Sequence, residues 1–227
     1  MKLTERLMTI AEMVKKCDVI ADIGTDHGYI PIYCITNNMA KSAIACDINQ
    51  GPLDIAKENI SKYGLDDRIT LRLSDGVSKL KKAEADVIVI AGMGGLLINH
   101  ILEEGKDIID SSVRLILQPM LAQKEVRKYL YENGYDIISE RLAKEGQKLY
   151  NIIEAKKSGS EVTYSEFDIV VGKRLYEEKD ELFDLYTEMR MNTLRKIIKG
   201  ISGSKDKEGL DEYIKELEFF ESIYNNS

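Results

Sequence analysis

The chain has 227 residues, 44% of them hydrophobic and 31% charged, a balance that suits a globular protein with a sizeable core and rules out a fibre or a long disordered chain. Lys and Arg number 32 against 39 Asp and Glu, so the formal charge of −7 argues against a nucleic-acid partner held by bulk charge and leaves only local basic patches for that purpose. Three cysteines, Cys17, Cys34 and Cys46, with no CxxC spacing, make neither a disulfide framework nor a zinc ribbon; a reducing cytoplasm is the expected setting, and no metal site is expected.

Residues 1–16 are amphipathic and carry Glu5, Arg6 and Glu12 where a signal peptide would be apolar, which predicts a folded helix. Short apolar runs follow at 19–23, 42–46, 69–73, 86–90 and 113–117, separated by helically spaced segments at 29–39, 52–63, 96–104 and 123–133. That alternation predicts βα units and a mostly parallel sheet. Two more strand-like runs, 135–142 and 150–155, are joined by a polar turn around Lys144, Glu145 and Gly146 and predict an antiparallel hairpin that completes a seven-stranded sheet. The longest apolar stretch, 87–98, has 12 residues and three glycines, too short for a membrane span.

A polar run at 156–160 divides the chain into 1–159 and 160–227. Beyond it lies an apolar stretch, 167–171, and then 173–199, which predicts one helix of 27 residues, roughly 40 Å long. Gly200, Ile201, Ser202, Gly203 and Ser204 should end it, and 210–224 predicts a second helix with Leu210, Ile214, Leu217 and Tyr224 on one face. The pair makes a coiled-coil-like helical hairpin. Its only basic stripe is Arg195, Lys196 and Lys199, within a stretch from Arg190 that contains no acid.

The chemistry concentrates at the ends of the first four strands. The segment 19–31 reads VIADIGTDHGYIP: a strand ending in Asp22, a turn holding Gly24 and Gly28, and a helix opening near Tyr29. A dinucleotide site would carry GxGxxG for a diphosphate, whereas this turn sets Thr25, Asp26 and His27 between its glycines. Acidic residues there suit a positively charged ligand, such as the ammonium and sulfonium of S-adenosylmethionine. Asp47 follows Gly24 by 23 residues, close to the spacing at which a carboxylate meets ribose hydroxyls, and Ser74, Asp75 and Gly76 place another carboxylate at the end of the third strand. The plain alternatives are a helix cap for Asp26 or Asp47 and an ordinary turn at Asp75. The fourth strand enters Gly92, Met93, Gly94 and Gly95, with no Asp/Asn-Pro-Pro-aromatic run to polarise an exocyclic amine. Room for a flat ring with an in-plane nitrogen lone pair is what this loop offers. After the fifth strand, Gln118 and Pro119 offer an amide able to read a base edge.

Together ADIGTDHGYIP, IAGMGG, LQP and the C-terminal helical hairpin resemble the bacterial tRNA (adenine-22, N1)-methyltransferase family over nearly the whole chain. The stretch 168–172 departs from it, lacking a Gly-Pro before the long helix. The resemblance implies a class I, Rossmann-like α/β methyltransferase fold, S-adenosylmethionine as donor and tRNA as acceptor. It implies that Asp22, Gly24, Thr25, Gly28, Asp47, Ile48, Ser74, Asp75, Gly76, Gly92 and Met93 serve the donor, and that Arg6, Asp26, His27 and Tyr29 serve catalysis. Gly94, Gln118, Pro119, Arg195, Lys196 and Lys199 are then expected at the tRNA, with 160–227 assisting its binding. Two other classes share the sheet. A nucleotide-dependent oxidoreductase lacks support without GxGxxG, and a noncatalytic RNA-binding protein would carry an eroded donor loop, whereas this loop is intact.

Overall fold

The structure is a computed structural model in which residues 1–203, 207 and 209–224 are described. It divides into two compact units, Met1–Thr163 and Tyr164–Ser227.

The first unit runs α1 (Glu5–Val14), β1 (Val19–Ile23), α2 (Tyr29–Thr36), β2 (Ser42–Asp47), α3 (Gln50–Lys62), β3 (Ile69–Leu73), β4 (Val87–Gly94), α4 (Gly95–Glu104), β5 (Arg114–Leu121), α5 (Gln123–Glu132), β6 (Tyr135–Glu145) and β7 (Lys148–Lys157). The strands form one sheet in the order β3-β2-β1-β4-β5-β7-β6. The pairs among β1 to β5 are parallel, and β7 pairs antiparallel with both β5 and β6. Because helices cover both faces, the central strands read as unbroken apolar runs rather than alternating ones: Val87, Ile88, Val89 and Ile90 are all buried, as are Leu115, Ile116 and Leu117. The sheet order reverses between β1 and β4, which puts the switch point, where ligands of open α/β sheets bind, beside the TDHG turn.

Several boundaries differ from the sequence pattern: β5 runs on to Leu121, β6 continues to Glu145 through Lys144 and Glu145 that were expected in the turn, and β7 spans Lys148–Lys157. The strand read as ending at Ile90 continues to Gly94, because pairing with β5 carries through Met93↔Pro119 and Gly94↔Leu121 with register shifts around Met93; the three-glycine loop is a bulged strand end. Helix α2 stops at Thr36, where Asn38 takes a left-handed conformation. The three cysteines are free, Cys34 and Cys46 buried and Cys17 half-buried.

In the second unit the apolar stretch at 167–171 falls largely within a π-helical turn, Asp168–Gly172. The single long helix is in fact two, α6 (Lys173–Glu178) and α7 (Phe183–Ser202). Lys179 adopts φ 50, ψ 56, and the Asp180 carboxylate accepts the Leu182 N–H at 2.9 Å, so an Asx-type turn replaces a helical one and turns Phe183 into the core. Gly200 does not stop α7, which reaches Ser202 with Gly203 as C-cap; Ser204 lies outside the described residues. Helix α8 (Leu210–Tyr224) packs by Glu216, Phe220 and Ile223, while Ile214 and Tyr224 of the expected face are exposed. Two forces set that rotation: Phe220, fully buried with its ring edge-on to Tyr186, outweighs the smaller aliphatics, and Glu216 is drawn inward by Arg190, whose Nε donates to it at 2.6 Å. No described helix is long and apolar enough to cross a membrane.

Candidate functional site

At the switch point β1 ends in Asp22 and Ile23, and the chain turns at Gly24, whose φ of +76° a side chain would strain. A Cβ there would also lie 2.2 Å from the methyl of Met93, so the turn from β1 and the bulged end of β4 are in direct contact. The N–H groups of Gly24 and Thr25 both donate to the Cys46 carbonyl, at 2.8 and 2.9 Å, which ties the turn to β2. Helix α2 is capped by Gly28 in a left-handed conformation, with no side-chain cap. Asp26 is therefore free of the structural role that a helix cap would give it: its carboxylate is exposed and lies 3.1 Å from His27 Nε2. The His27 carbonyl accepts from Asn59 of α3 at 3.0 Å, and its ring lies 5.1 Å from that of Tyr29.

A cleft of about 550 Å³ opens here. From the first turn it takes Asp22, Gly24, Thr25, Asp26, His27, Gly28 and Tyr29; from β2 it takes Asp47, and from β4 Gly92 and Met93. Arg6 enters from α1. Leu7, Ile30 and Ala91 line it as well; none was singled out from the sequence, each being an apolar neighbour of a residue that was. Asp22 is buried, and burial pushes its carboxyl up to about 6, the nearby Asp47 charge acting in the same direction. The Thr25 hydroxyl tempers this, yet its Oγ1 completes no hydrogen bond within the protein; His27 Nδ1, also buried, has none either. Asp47 spends one oxygen on the Asn49 N–H at 2.8 Å, and the next residue, Ile48, leaves its apolar side chain 60% exposed at the strand end.

Arg6 is held from three sides. Its Nη1 donates to Gln118 Oε1 at 2.8 Å, its backbone N–H to Glu145 Oε1 at 3.1 Å, and its guanidinium carbon stands 5.4 Å from the centre of the Tyr150 ring. Gln118 Oε1 also takes the Gly92 N–H at 3.2 Å, and its Nε2 donates to the Pro119 carbonyl at 3.0 Å. Gln118 and Pro119 are both buried. The amide expected at a base edge is thus turned inward, where it braces Arg6 and the end of β4. Glu145 and Tyr150 were missed by the sequence reading, since they sit on a hairpin with no local motif.

The remaining expected residues do not line the cleft. Ser74 is buried, and its hydroxyl closes its own turn by donating to the Gly76 carbonyl at 2.9 Å and accepting from Lys79 N–H at 3.2 Å. Asp75 and Gly94 are exposed, and Gly76 lies half-buried against Ile101. In the second unit Arg195, Lys196 and Lys199 are exposed on α7, but Arg195 is paired with Glu221 at 2.8 Å, so the stripe is one charge weaker than its sequence suggests. Among the described residues no three His, Cys, Asp or Glu side chains are grouped as a metal site.

A parallel sheet closed by an antiparallel hairpin, with an acidic glycine turn at its switch point, defines a methyltransferase, and residues 3–153 match the family model described as a methyltransferase domain. The chain is 39% identical over 221 residues to the tRNA (adenine(22)-N(1))-methyltransferase of Bacillus subtilis, covering 96% of this chain and 93% of that one. It therefore belongs to the tRNA (adenine(22)-N(1))-methyltransferase family. The crystal structure of the Bacillus subtilis M1A22 tRNA methyltransferase TrmK superposes with a TM-score of 0.87 at 37% identity, covering 98% of each chain. The Mycoplasma capricolum TrmK structure, in complex with S-adenosyl-homocysteine, superposes at 0.80 with 31% identity over 99% of this chain and 97% of that one.

Proposed function

We propose that this chain transfers the methyl group of S-adenosylmethionine to N1 of adenine 22 in tRNA, in a reducing cytoplasm. The observation that carries the reading is the cleft itself. Asp22, Asp26 and Asp47 line it, the lining cation Arg6 is already engaged by Gln118, and the buried Thr25 Oγ1 and His27 Nδ1 lack protein partners. Such a donor set fits a ligand with positive charge and hydroxyls and does not fit a diphosphate.

When bound, S-adenosylmethionine supplies an electrophilic methyl on a sulfonium centre. Asp47 receives the ribose hydroxyls, Ile48 lies against the adenine face, and Gly24 lets the backbone approach closely. Thr25 and Gly28 complete that wall, and the exposed carboxylate of Asp75, outside the cleft lining, is left for the adenine amino group. On the acceptor side N1 already carries its lone pair, so holding the two reactants in line is the main task, worth roughly 7 to 11 kcal/mol when alignment is good. Asp26 offsets the positive charge that appears on the adenine ring as N1 is alkylated. His27, held by Asp26, hydrogen-bonds the base, and Tyr29 stacks on it once it has left the helix. Arg6, fixed by Gln118 and Glu145, closes the side of the cleft, and Gly94 leaves room for the ring. The second unit, through Lys196 and Lys199 with Arg195, contacts tRNA phosphates.

Incubation with methyl-labelled donor and tRNA, followed by nucleoside analysis, tests the assignment. N1-methyladenosine at position 22 is expected; N6-methyladenosine alone would overturn it.

A further inference from the structure

The helix that follows β4 is pressed against the turn that follows β5. A Cβ at Gly95 would lie 2.6 Å from the Ala122 carbonyl oxygen and 2.8 Å from that of Leu121, so the two segments touch backbone to backbone. Ala122 takes φ 61, ψ 43, a left-handed conformation that strains any residue with a side chain, and it does so immediately after Leu121. The result is that Leu121 is 72% exposed and Leu96 67%, the two most exposed large apolar side chains among the described residues, with Leu97 at 49% and Met120 at 38% beside them. Neither Gly92 to Ile98 nor Gln118 to Ala122 contains an ionisable residue, in a chain that is 31% charged.

This ledge continues the rim of the cleft. Gly92 and Met93 line the cleft, and two positions on, Gly94 is register partner of Leu121. Solvated apolar side chains beside a strained residue, Ala122, at the mouth of a site call for a partner with an apolar face. N1 of adenine lies on the base-pairing edge, so an adenine in a helix must leave its stack to be methylated, and what it leaves behind is a gap between flat aromatic rings. Leucine and methionine fill such gaps where proteins unstack bases.

We propose that Leu96 and Leu121 form a wedge that occupies the stack vacated by the target adenine of tRNA and so holds the base out. This rests on the methyl-transfer reading above and adds how the base is extracted. The test uses the full chain and the variant Leu96→Ser/Leu121→Ser, whose changes are on the surface, with melting temperature confirming the fold. Two tRNA transcripts are compared, one with the target adenine paired and one with its partner base changed so that the adenine is unpaired. The variant should bind S-adenosylmethionine like the parent, lose at least tenfold in kcat/KM on the paired transcript, and recover most of that loss on the unpaired one. An equal loss on both transcripts, or no loss, would overturn the wedge. So would a parent that sediments as a dimer and a variant that sediments as a monomer with unchanged methylation, because the ledge would then belong to a contact between copies. A parent that methylates neither transcript would instead bring down the methyl-transfer reading and the wedge with it, a result distinct from an active parent matched by its variant.

Discussion

Arg6 of α1 and Gln118 of β5 meet at 2.8 Å, and the oxygen they share also binds the Gly92 N–H at the end of β4. A single buried amide thereby fixes a lining cation and the rim of the cleft at once. Gln118→Ala leaves the Gly92 N–H and part of the Arg6 guanidinium without this acceptor, a loss of about 1 kcal/mol in stability. Donor affinity should hold while the single-turnover methylation rate drops roughly tenfold to a hundredfold through misplacement of Arg6. Gln118→Glu, which keeps the acceptor, should recover part of that rate; if it does not, Arg6 acts without this brace.

Asp26 and His27 belong to the donor turn, yet neither side chain caps α2: the two meet at 3.1 Å, and the His27 ring lies 5.1 Å from that of Tyr29. Asp26→Ala and His27→Ala should therefore melt close to the parent, bind S-adenosylmethionine nearly as tightly, and lose methyl transfer. Full turnover in either variant would remove that residue from the catalytic group.

Asp47→Ala should weaken donor binding by about 1 to 3 kcal/mol through lost hydrogen bonds to the ribose. Calorimetry with S-adenosylmethionine and its demethylated product reads this directly, and unchanged affinity for both would place the ribose elsewhere.

Asp22 gives the cleft a pH dependence with a definite sign. Its folded value of about 6 lies above the ordinary 3.8, so between those limits the folded chain holds a proton that the unfolded chain has released. Stability from this group is therefore greatest at low pH, falls as pH rises through that window, and stays low above 6. Asp22→Asn should be more stable than the parent at pH 7.5 by up to about 3 kcal/mol, an advantage that vanishes near pH 4 in thermal melts. The same variant should bind donor more weakly, and parent affinity should fall as pH drops below about 6, because only the ionised carboxylate favours a cationic ligand.

For the second unit the informative change is Lys196→Glu/Lys199→Glu, since reversing Arg195 would set a new carboxylate against Glu221 and confuse folding with docking. The apparent KM for tRNA should rise and its salt dependence flatten, with donor affinity unchanged. A chain ending at Thr163 should likewise keep donor binding and lose most tRNA methylation. Unaltered kinetics in the double variant would move docking to Lys15 and Lys16 after the N-terminal helix.

What the sequence allowed, and where it failed, follows from the range of the forces involved. The runs at 19–23 and 69–73 coincide with β1 and β3 because polar or glycine neighbours, Asp18 and Gly24 for the first and Arg68 and Ser74 for the second, bound them locally. The TDHG turn was equally readable, since its glycines and carboxylates are consecutive. The end of β4 was not, because Met93 and Gly94 become strand only by pairing with residues more than twenty positions away. Nor was the break at Lys179: the Glu178-Lys179-Asp180-Glu181 stretch looks like any solvated helix face, and what interrupts it is an Asp180 side chain bonding its own backbone. Gln118 was recognised as polar at a strand end but assigned to the wrong direction, outward to a base rather than inward to Arg6.

The three thiols, two buried and one half-buried, have a practical side. Burial pushes Cys34 and Cys46 up to about 12 and, with help from Asp86, Cys17 up to about 11, so at neutral pH all three are overwhelmingly protonated and poor nucleophiles. A cysteine introduced at an exposed position, with its ordinary value near 8.5, would react with maleimides ahead of them by a wide margin. Fluorophores can thus be attached one at a time to the otherwise unaltered chain, and Lys196→Cys or Leu97→Cys would turn the protein into its own reporter of tRNA arrival.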